Sequence, residues 1–427
     1  MKEKAGAIAV SQRVEALDAL RGLAILAMVF SGTIRYKILP AWMYHAQEPP
    51  PTHEFNKALA GLTWVDVVFP LFLFTMGAAI PFALSRRIAQ GWTTPKIVFY
   101  ILKRGALLGA FAIILQHLRP FNIDPDPSRR TWILAMVGFG VLCLMFGRLP
   151  SAWKLGRYRG LITLLGWVAG IGLIWQFSNG GQGILLDRSD PILIALANMA
   201  VFGSLIWLFT RTNLMLRLGL LVILLALQFA SGSEGWVKQL WSFSPAPWIF
   251  QFYYLKYLFI VVPGTIAGDL IFNTATHSLV KTETSEIGAS EVGASEIGAS
   301  EVEASKINSS ESTSLPPDLQ RSWSYQQLML IGVSMLTICV LLLIGLQARW
   351  VWQTTLMVAI FCLASNLLFT KSDHPIEHRI QQYYHWGVYW LALGLAFEPF
   401  QAGIKKDPST YSYYFVTAAI AFFLLIV

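Results

Sequence analysis

Charge is what this chain has least of. Asp, Glu, Lys and Arg make up 13% of its 427 residues, against roughly 25% in a soluble domain. So few charges could not solvate a globular surface of this size, so a set of soluble domains is excluded and lipid must cover most of the surface. Cysteine is scarce too. Cys143, Cys339 and Cys362 all fall in apolar runs and are expected as small core residues rather than a disulfide framework. No GxSxG, P-loop or dinucleotide fingerprint stands in a strand–turn–helix setting, so the chemistry those motifs carry is not indicated. DHPIEH, from Asp373 to His378, has the composition of a metal cluster. It lacks a second ligand-rich segment, and Pro375 interrupts the helix that an i, i+4 pair requires. It is expected to be an exposed cytoplasmic turn, and no metal is expected.

What is present is apolar. Hydrophobic residues reach 55% and mean hydropathy is +0.54, while 16 Trp and 14 Tyr suit two interfacial aromatic belts. Apolar runs lie near 17–36, 62–85, 97–117, 131–149, 159–177, 191–210, 213–230, 248–272, 327–346, 350–370, 380–399 and 412–427. Membrane barrels show short alternating segments instead. The pattern predicts an all-α fold, a polytopic transmembrane helical bundle of about 11–12 spans. Lys2, Lys4 and Arg13 precede the first run, but no small-residue cleavage site follows, so that helix is expected to be retained. Lys and Arg favour the loops on the N-terminal side, most strongly in the early loops (Arg86, Arg87, Lys96, Arg148, Lys154, Arg157). That bias places the N-terminus in the cytoplasm. The net charge of +8 is absorbed by the same bias, so membrane lipid and not nucleic acid is the expected partner. A homo-oligomer is left open.

Composition changes abruptly at residues 274–325, where a polar, acidic repeat of the type GASE(I/V) replaces the apolar pattern. Such a segment cannot bury enough surface to fold and is expected to be a flexible cytoplasmic linker. It divides the chain into residues 1–273, with about eight helices, and residues 326–427, with about four. The final run, from Ser412, is only 16 residues long, which predicts a short, tilted helix or a sequence that stops early.

Ionisable residues inside spans cost about 2.5–3.5 kcal/mol each on insertion scales and usually face a cavity or a partner. Asp18 and Arg21 share one face of the first helix and could simply pair. Lys103 and Arg104 lie near the same side in the third run. These basic residues either snorkel or form a vestibule for a phosphate-rich ligand. Lys256, nine residues past Pro247, is expected about 13 Å into a helix, too deep to snorkel. It therefore needs a carboxylate or a water-filled cavity, and the Pro263-Gly264 step below it predicts a kink or close helix approach. On the opposite face, Asp66 begins the second run, followed at once by a prolyl break at Pro70. The loop before it holds His45, His53 and Asn56, and Glu398 lies at the corresponding end of a later run. A histidine oriented by an acid is a directed base, and His53 is favoured over His45 for that role, with Asp66 or Glu398 as orienting acid.

Two segments carry a family resemblance. RVEALDALRGLAILAMVFSG and GLTWVDVVFPLFLFTMGAAI resemble the first- and second-helix signatures of the transmembrane acyltransferases related to heparan-α-glucosaminide N-acetyltransferase. The later segments resemble a bacterial branch of that family, which implies a bacterial plasma-membrane setting. The resemblance implies a multi-helix enzyme that moves an acetyl group from cytosolic acetyl-CoA to a sugar amine or hydroxyl of an extracytoplasmic glycan. The family's catalytic histidine lies five residues before a glycine that matches Gly61. The matching position here is Asn56, and His53 lies three residues upstream. In the expected scheme Asp18, Arg21, Lys103 and Arg104 form the cofactor-binding vestibule, with the three cations holding the CoA phosphates. The pantetheine arm, on the order of 15–20 Å long, passes Lys256 to reach His53. A glycan carrier or flippase, and a catalytically inactive binding protein, are the alternatives.

Overall fold

A computed structural model describes residues 15–147, 158–178, 185–273, 323–370, 372 and 374–427. The GASE repeat and Asp373 lie outside the described residues. Twelve long helices are described, one for each apolar run: α1 Glu15–Thr33, α2 Trp64–Ala89, α3 Thr94–His117, α4 Arg129–Phe146, α5 Arg159–Ser178, α6 Pro191–Thr210, α7 Leu214–Ala230, α8 Phe252–Asn273, α9 Tyr325–Gln347, α10 Val351–Asn366, α11 Pro375–Phe397 and α12 Tyr411–Ile426. Eight of them are long and apolar enough to cross a membrane, and α7, α10 and α12 are shorter apolar helices. Among the described residues the only β-type pairing is one isolated bridge, Ala246 to Phe250. The protein is an all-α, multi-pass helical bundle, as its hydropathy requires.

By contact the chain forms two compact units. One comprises residues 1–92 and 259–427, the other residues 93–258. In the first, α12 is apolar all round and buried almost throughout, from Tyr411 to Phe423, as a helix must be when neighbours cover every face. It packs most extensively against α11, and also against α9, α2 and α1. Phe415 stacks on Trp390, and Tyr414 on Phe259. Gly387 and Gly394 let α11 approach, since a Cβ there would strike Phe423 and Val416.

The α2–α8 contact in this unit is a backbone approach. A Cβ on Gly264 would stand 2.2 Å from the Phe74 carbonyl oxygen, and one on Gly268 would stand 2.3 Å from that of Ala78. A glycine pair four apart is a recurrent device of helix contact in membranes, because small residues let backbones meet where lipid supplies no hydrophobic drive. The close approach expected at Pro263-Gly264 is thus present.

The expected break at Pro70 is not. α2 runs unbroken through Pro70 and Pro81. Proline lacks the N–H that would bond the carbonyl four residues back, here that of Asp66. The Tyr413 hydroxyl donates to that carbonyl at 2.8 Å, so α12 supplies the donor Pro70 lacks. DHPIEH also differs from expectation, because Glu377 is buried. Its carboxylate accepts the Trp323 amide at 3.1 Å and the Ser372 hydroxyl, fastening the start of α9 to the start of α11. Cys339 and Cys362 are buried as expected, whereas Cys143 is exposed.

In the second unit α3 packs on α6 and α4 on α5, around Ile114, Leu118, Val141, Leu142, Met145 and Ile174. Asp190 caps α6 by accepting the Ile192 and Leu193 amides at 3.1 Å, and it also receives Gln116 and Arg119 at 3.2 and 3.3 Å. Asn198 donates to the carbonyls of Ile194 and Ile249. Arg217, fully buried, donates to the Thr210 hydroxyl at 3.2 Å.

Candidate functional site

The loop from residue 34 to residue 63 is pinned onto the first unit at several points, and those points create the site. Gln47 and Asp407 form a reciprocal pair: the Gln47 amide donates to the Asp407 carbonyl at 2.6 Å, and the Asp407 N–H donates to Gln47 Oε1 at 2.9 Å. The Gly61 amide bonds the Ile404 carbonyl at 2.8 Å. Gly403 has φ +100, and a Cβ there would collide with Ala60. The 402–410 loop therefore holds the 34–63 loop against the N-terminus of α2.

At that N-terminus lies Asp66, 2% exposed. Its Oδ1 accepts from His45 Nδ1 at 2.6 Å. Its Oδ2 accepts the Ala46 and Thr63 amides at 3.1 and 3.0 Å, and the Thr63 hydroxyl lies 3.0 Å away. An acid three residues into a helix that takes back the amide of the capping threonine is half of a capping box. Here the acid's other oxygen is left to orient a histidine. Because Nδ1 donates to a carboxylate, His45 carries its proton there and keeps the Nε2 lone pair for another partner.

The Lys406 Nζ stands beside the ring, 3.2 Å from Nδ1 and 3.3 Å from Nε2. Burial pushes the Lys406 ammonium below the ordinary lysine range, and the carboxylates of Asp66, Glu48 and Asp407 pull it partly back. Asp66, His45 and Lys406 thus form one cluster of acid, imidazole and a weakened ammonium. His45 itself is about a third exposed. It lines a cavity of about 340 Å³ together with Ala46, Thr63, Ala60, Gln347 and Arg349.

His53, the histidine favoured by sequence, has both ring nitrogens on backbone groups. Its Nδ1 donates to the Glu48 carbonyl at 3.2 Å and its Nε2 accepts the Lys37 amide at 3.1 Å. One partner can only accept and the other can only donate, so the ring is fixed as a neutral Nδ1–H tautomer with no free lone pair. Tyr36 and Tyr44 pack on it at 4.7 and 4.5 Å, and its φ is +56. The expected pairing of Asp66 with His53 is therefore corrected to Asp66 with His45. Asn56 is exposed, and its side chain closes a turn by accepting the Ala58 amide at 2.9 Å. Glu398 is buried and accepts the amide of Ile404. Among the described residues neither His45 nor His53 is one of its hydrogen-bond partners.

The expected cofactor residues are placed as follows. Asp18 and Arg21 pair with each other at 3.3 Å across the exposed face of α1. Lys103 and Arg104 are exposed on α3, with Arg104 bonded to Tyr100 at 3.3 Å. Lys256 is not nine residues deep in a helix. The chain after Pro247 is irregular, and Lys256 lies in the 3₁₀ turn Phe252–Tyr257 that opens α8. It is buried at 2% exposure with Nζ 3.4 Å from the Tyr253 ring centre and 5.2 Å from that of Tyr257. Aromatic faces stabilise a desolvated cation, and these two rings contribute to holding it there. Among the described residues no group of three or more His, Cys, Asp or Glu is placed to hold a metal ion.

Sequence reasoning did not single out Lys406 or Arg349. The spacing of Asp407-Pro408 and Thr410 ahead of an apolar run marks a helix start but carries no signal of contact with a histidine 361 positions away.

Residues 13–271 match a family model described as "Domain of unknown function (DUF5009)". The chain is also 28% identical over 107 residues to heparan-alpha-glucosaminide N-acetyltransferase of Mus musculus. That match covers 25% of this chain and 14% of the mouse protein, so the chain spans a small part of that relative's length. No solved structure matches the chain.

Proposed function

We propose that this chain, which belongs to the DUF5009 family, is a membrane-embedded acyltransferase that uses His45 as its general base. The observation that carries the reading is the 2.6 Å contact of His45 with buried Asp66, on the wall of a cavity large enough for a sugar ring. The distant likeness to an N-acetyltransferase supports the same class.

In this reading an acceptor amine or hydroxyl enters the cavity and gives its proton to His45 Nε2. Its nitrogen or oxygen forms a bond to the acyl carbon, the C–S bond of the thioester breaks, and the leaving thiolate takes the proton back from the imidazolium. Asp66 holds the ring in the required tautomer and stabilises its charged form. The Lys406 ammonium beside the ring opposes the imidazolium that forms, so His45 is the stronger base once Lys406 loses its proton. The donor is acetyl-CoA, and the acceptor is a sugar amine or hydroxyl of an envelope glycan.

The test is transfer of labelled acetyl from acetyl-CoA across a panel of amino and neutral sugars, with the detergent-solubilised protein and its His45→Ala variant. Transfer by the wild type that falls to background in His45→Ala is expected. Equal transfer by both would remove His45 from the reaction, and no acetyl-CoA turnover or binding by the wild type would remove the reaction itself.

A further inference from the structure

Arg349 stands where a helix ending of this geometry ordinarily takes glycine. α9 closes in a Schellman turn: the Arg349 amide bonds the Leu346 carbonyl at 3.3 Å, and the Trp350 amide bonds that of Gly345 at 2.9 Å. Arg349 has φ +62, and that left-handed position is filled mostly by glycine and sometimes by asparagine, because a Cβ is disfavoured there. The backbone gives no reason for an arginine.

The side chain does. Arg349 Nε donates to the Ala60 carbonyl at 3.0 Å, tying the guanidinium to the loop that carries His45. The two residues line the same cavity, and no acidic side chain lines it with them. The carboxylate behind His45, Asp66, is already engaged by His45, Ala46 and Thr63. With Nε tethered, the terminal nitrogens of the fork are left for a bidentate acceptor, the geometry in which arginine binds carboxylates and phosphates. A non-glycine residue held in a disfavoured backbone region beside a cavity is a frequent mark of a functional position.

We propose that Arg349 recognises a carboxylate or phosphate on the acceptor, so that the site takes an acidic or phosphorylated sugar rather than a neutral one. The inference rests on the acyl-transfer reading for its acceptor, but its test does not depend on turnover. Binding to the full solubilised chain is measured by calorimetry, without donor. The probes are glucosamine 6-phosphate and glucuronate, their neutral partners glucosamine and glucose, and inorganic phosphate.

The anionic sugars should bind on the order of 10- to 100-fold more tightly than their neutral partners, the range a charge-assisted hydrogen bond supplies. Arg349→Gly should abolish that difference while still folding cooperatively, since the better fit of glycine to the turn offsets the lost bond to Ala60. Arg349→Lys should retain part of it. Whichever of glucuronate and glucosamine 6-phosphate shows the larger Arg349-dependent gain identifies the anion as carboxylate or phosphate. Equal binding of charged and neutral sugars, a preference that survives in Arg349→Gly, or inorganic phosphate binding as tightly as the sugar phosphate would each overturn the proposal. Arg349-dependent binding without acetyl transfer would sink the acyl-transfer reading alone, and transfer without any charge preference would sink this inference alone.

Discussion

Remote pairs occur in both units, but they are distributed differently. In residues 93–258, Asp190 holds Gln116 and Arg119, and Asn198 holds Ile249, each at a separate point. In the other unit Lys406, Asp407 and Arg349 all reach the 34–63 loop, at His45, Gln47 and Ala60, and Tyr413 reaches Asp66 just beyond it. Several pairs gathered on one loop fix its position, and a preorganised site requires that. The proposed site lies in the first unit.

The change expected to strain that contrast most is Asp66→Ala. It leaves the His45, Ala46 and Thr63 donors without their acceptor, at about 1–3 kcal/mol for each buried one, so thermal melting in detergent should show severe destabilisation and no transfer. Retained stability would mean that the cluster is not the organising element.

Next come the two histidines. His45→Ala should lower transfer by about 10²–10⁴, the usual worth of a general base, and should also lower the melting temperature by leaving Asp66 Oδ1 without its donor. His53→Ala should remove about 1 kcal/mol of stability through its backbone bonds while leaving transfer within a few-fold. An exchange of these outcomes would restore His53 as the base.

Tyr413 offers a smaller and more exact test of remote pairing. Tyr413→Phe should cost about 1 kcal/mol by depriving the Asp66 carbonyl of its donor. In a Pro70→Ala background, where the helix itself can supply an N–H, the same change should cost much less. A double-mutant cycle on melting data reads the coupling, and strict additivity would refute the link.

Lys256→Met tests the other side of the comparison. Loss of a desolvated cation–π contact is expected to cost up to about 2 kcal/mol without altering the Michaelis constant for acetyl-CoA. A large rise in that constant would show that the second unit also serves the donor.

The smallest effect is that of Lys406 on pH dependence. Its folded-state value lies below the ordinary ~10.4 of a lysine. Between the two values the unfolded chain binds more protons than the folded one, so stability rises with pH across that window. Lys406→Met should flatten this rise, and should remove the activity gained as the ammonium beside His45 deprotonates. Identical pH profiles for the variant and the wild type would show that Lys406 does not gate His45.

Much of this molecule is legible in its residues and some of it is not. Each of the twelve apolar runs corresponds to a helix because hydropathy and length act locally: a segment that lipid must solvate has to satisfy its own backbone, and a helix does so within itself. The same local logic made Asp66 visible as an acid at a helix start, and made Asp18 and Arg21 visible as a pair. It failed where the answer depended on a distant segment. Pro70 looks like a break until Tyr413 supplies the donor. Lys256 looks stranded until the chain before it proves irregular. His53 looks like the better base until both of its nitrogens are found on backbone groups.

The sequence by itself determined a multi-pass helical bundle and confined its candidate site residues to a few loops and helix ends, because burial in lipid is decided by composition over about 20 residues. Only the tertiary structure decided which histidine faces the buried acid, and that Lys406 and Arg349 stand beside it. Those contacts join loops that lie up to 361 positions apart, and no short-range pattern of residues encodes a meeting at that distance.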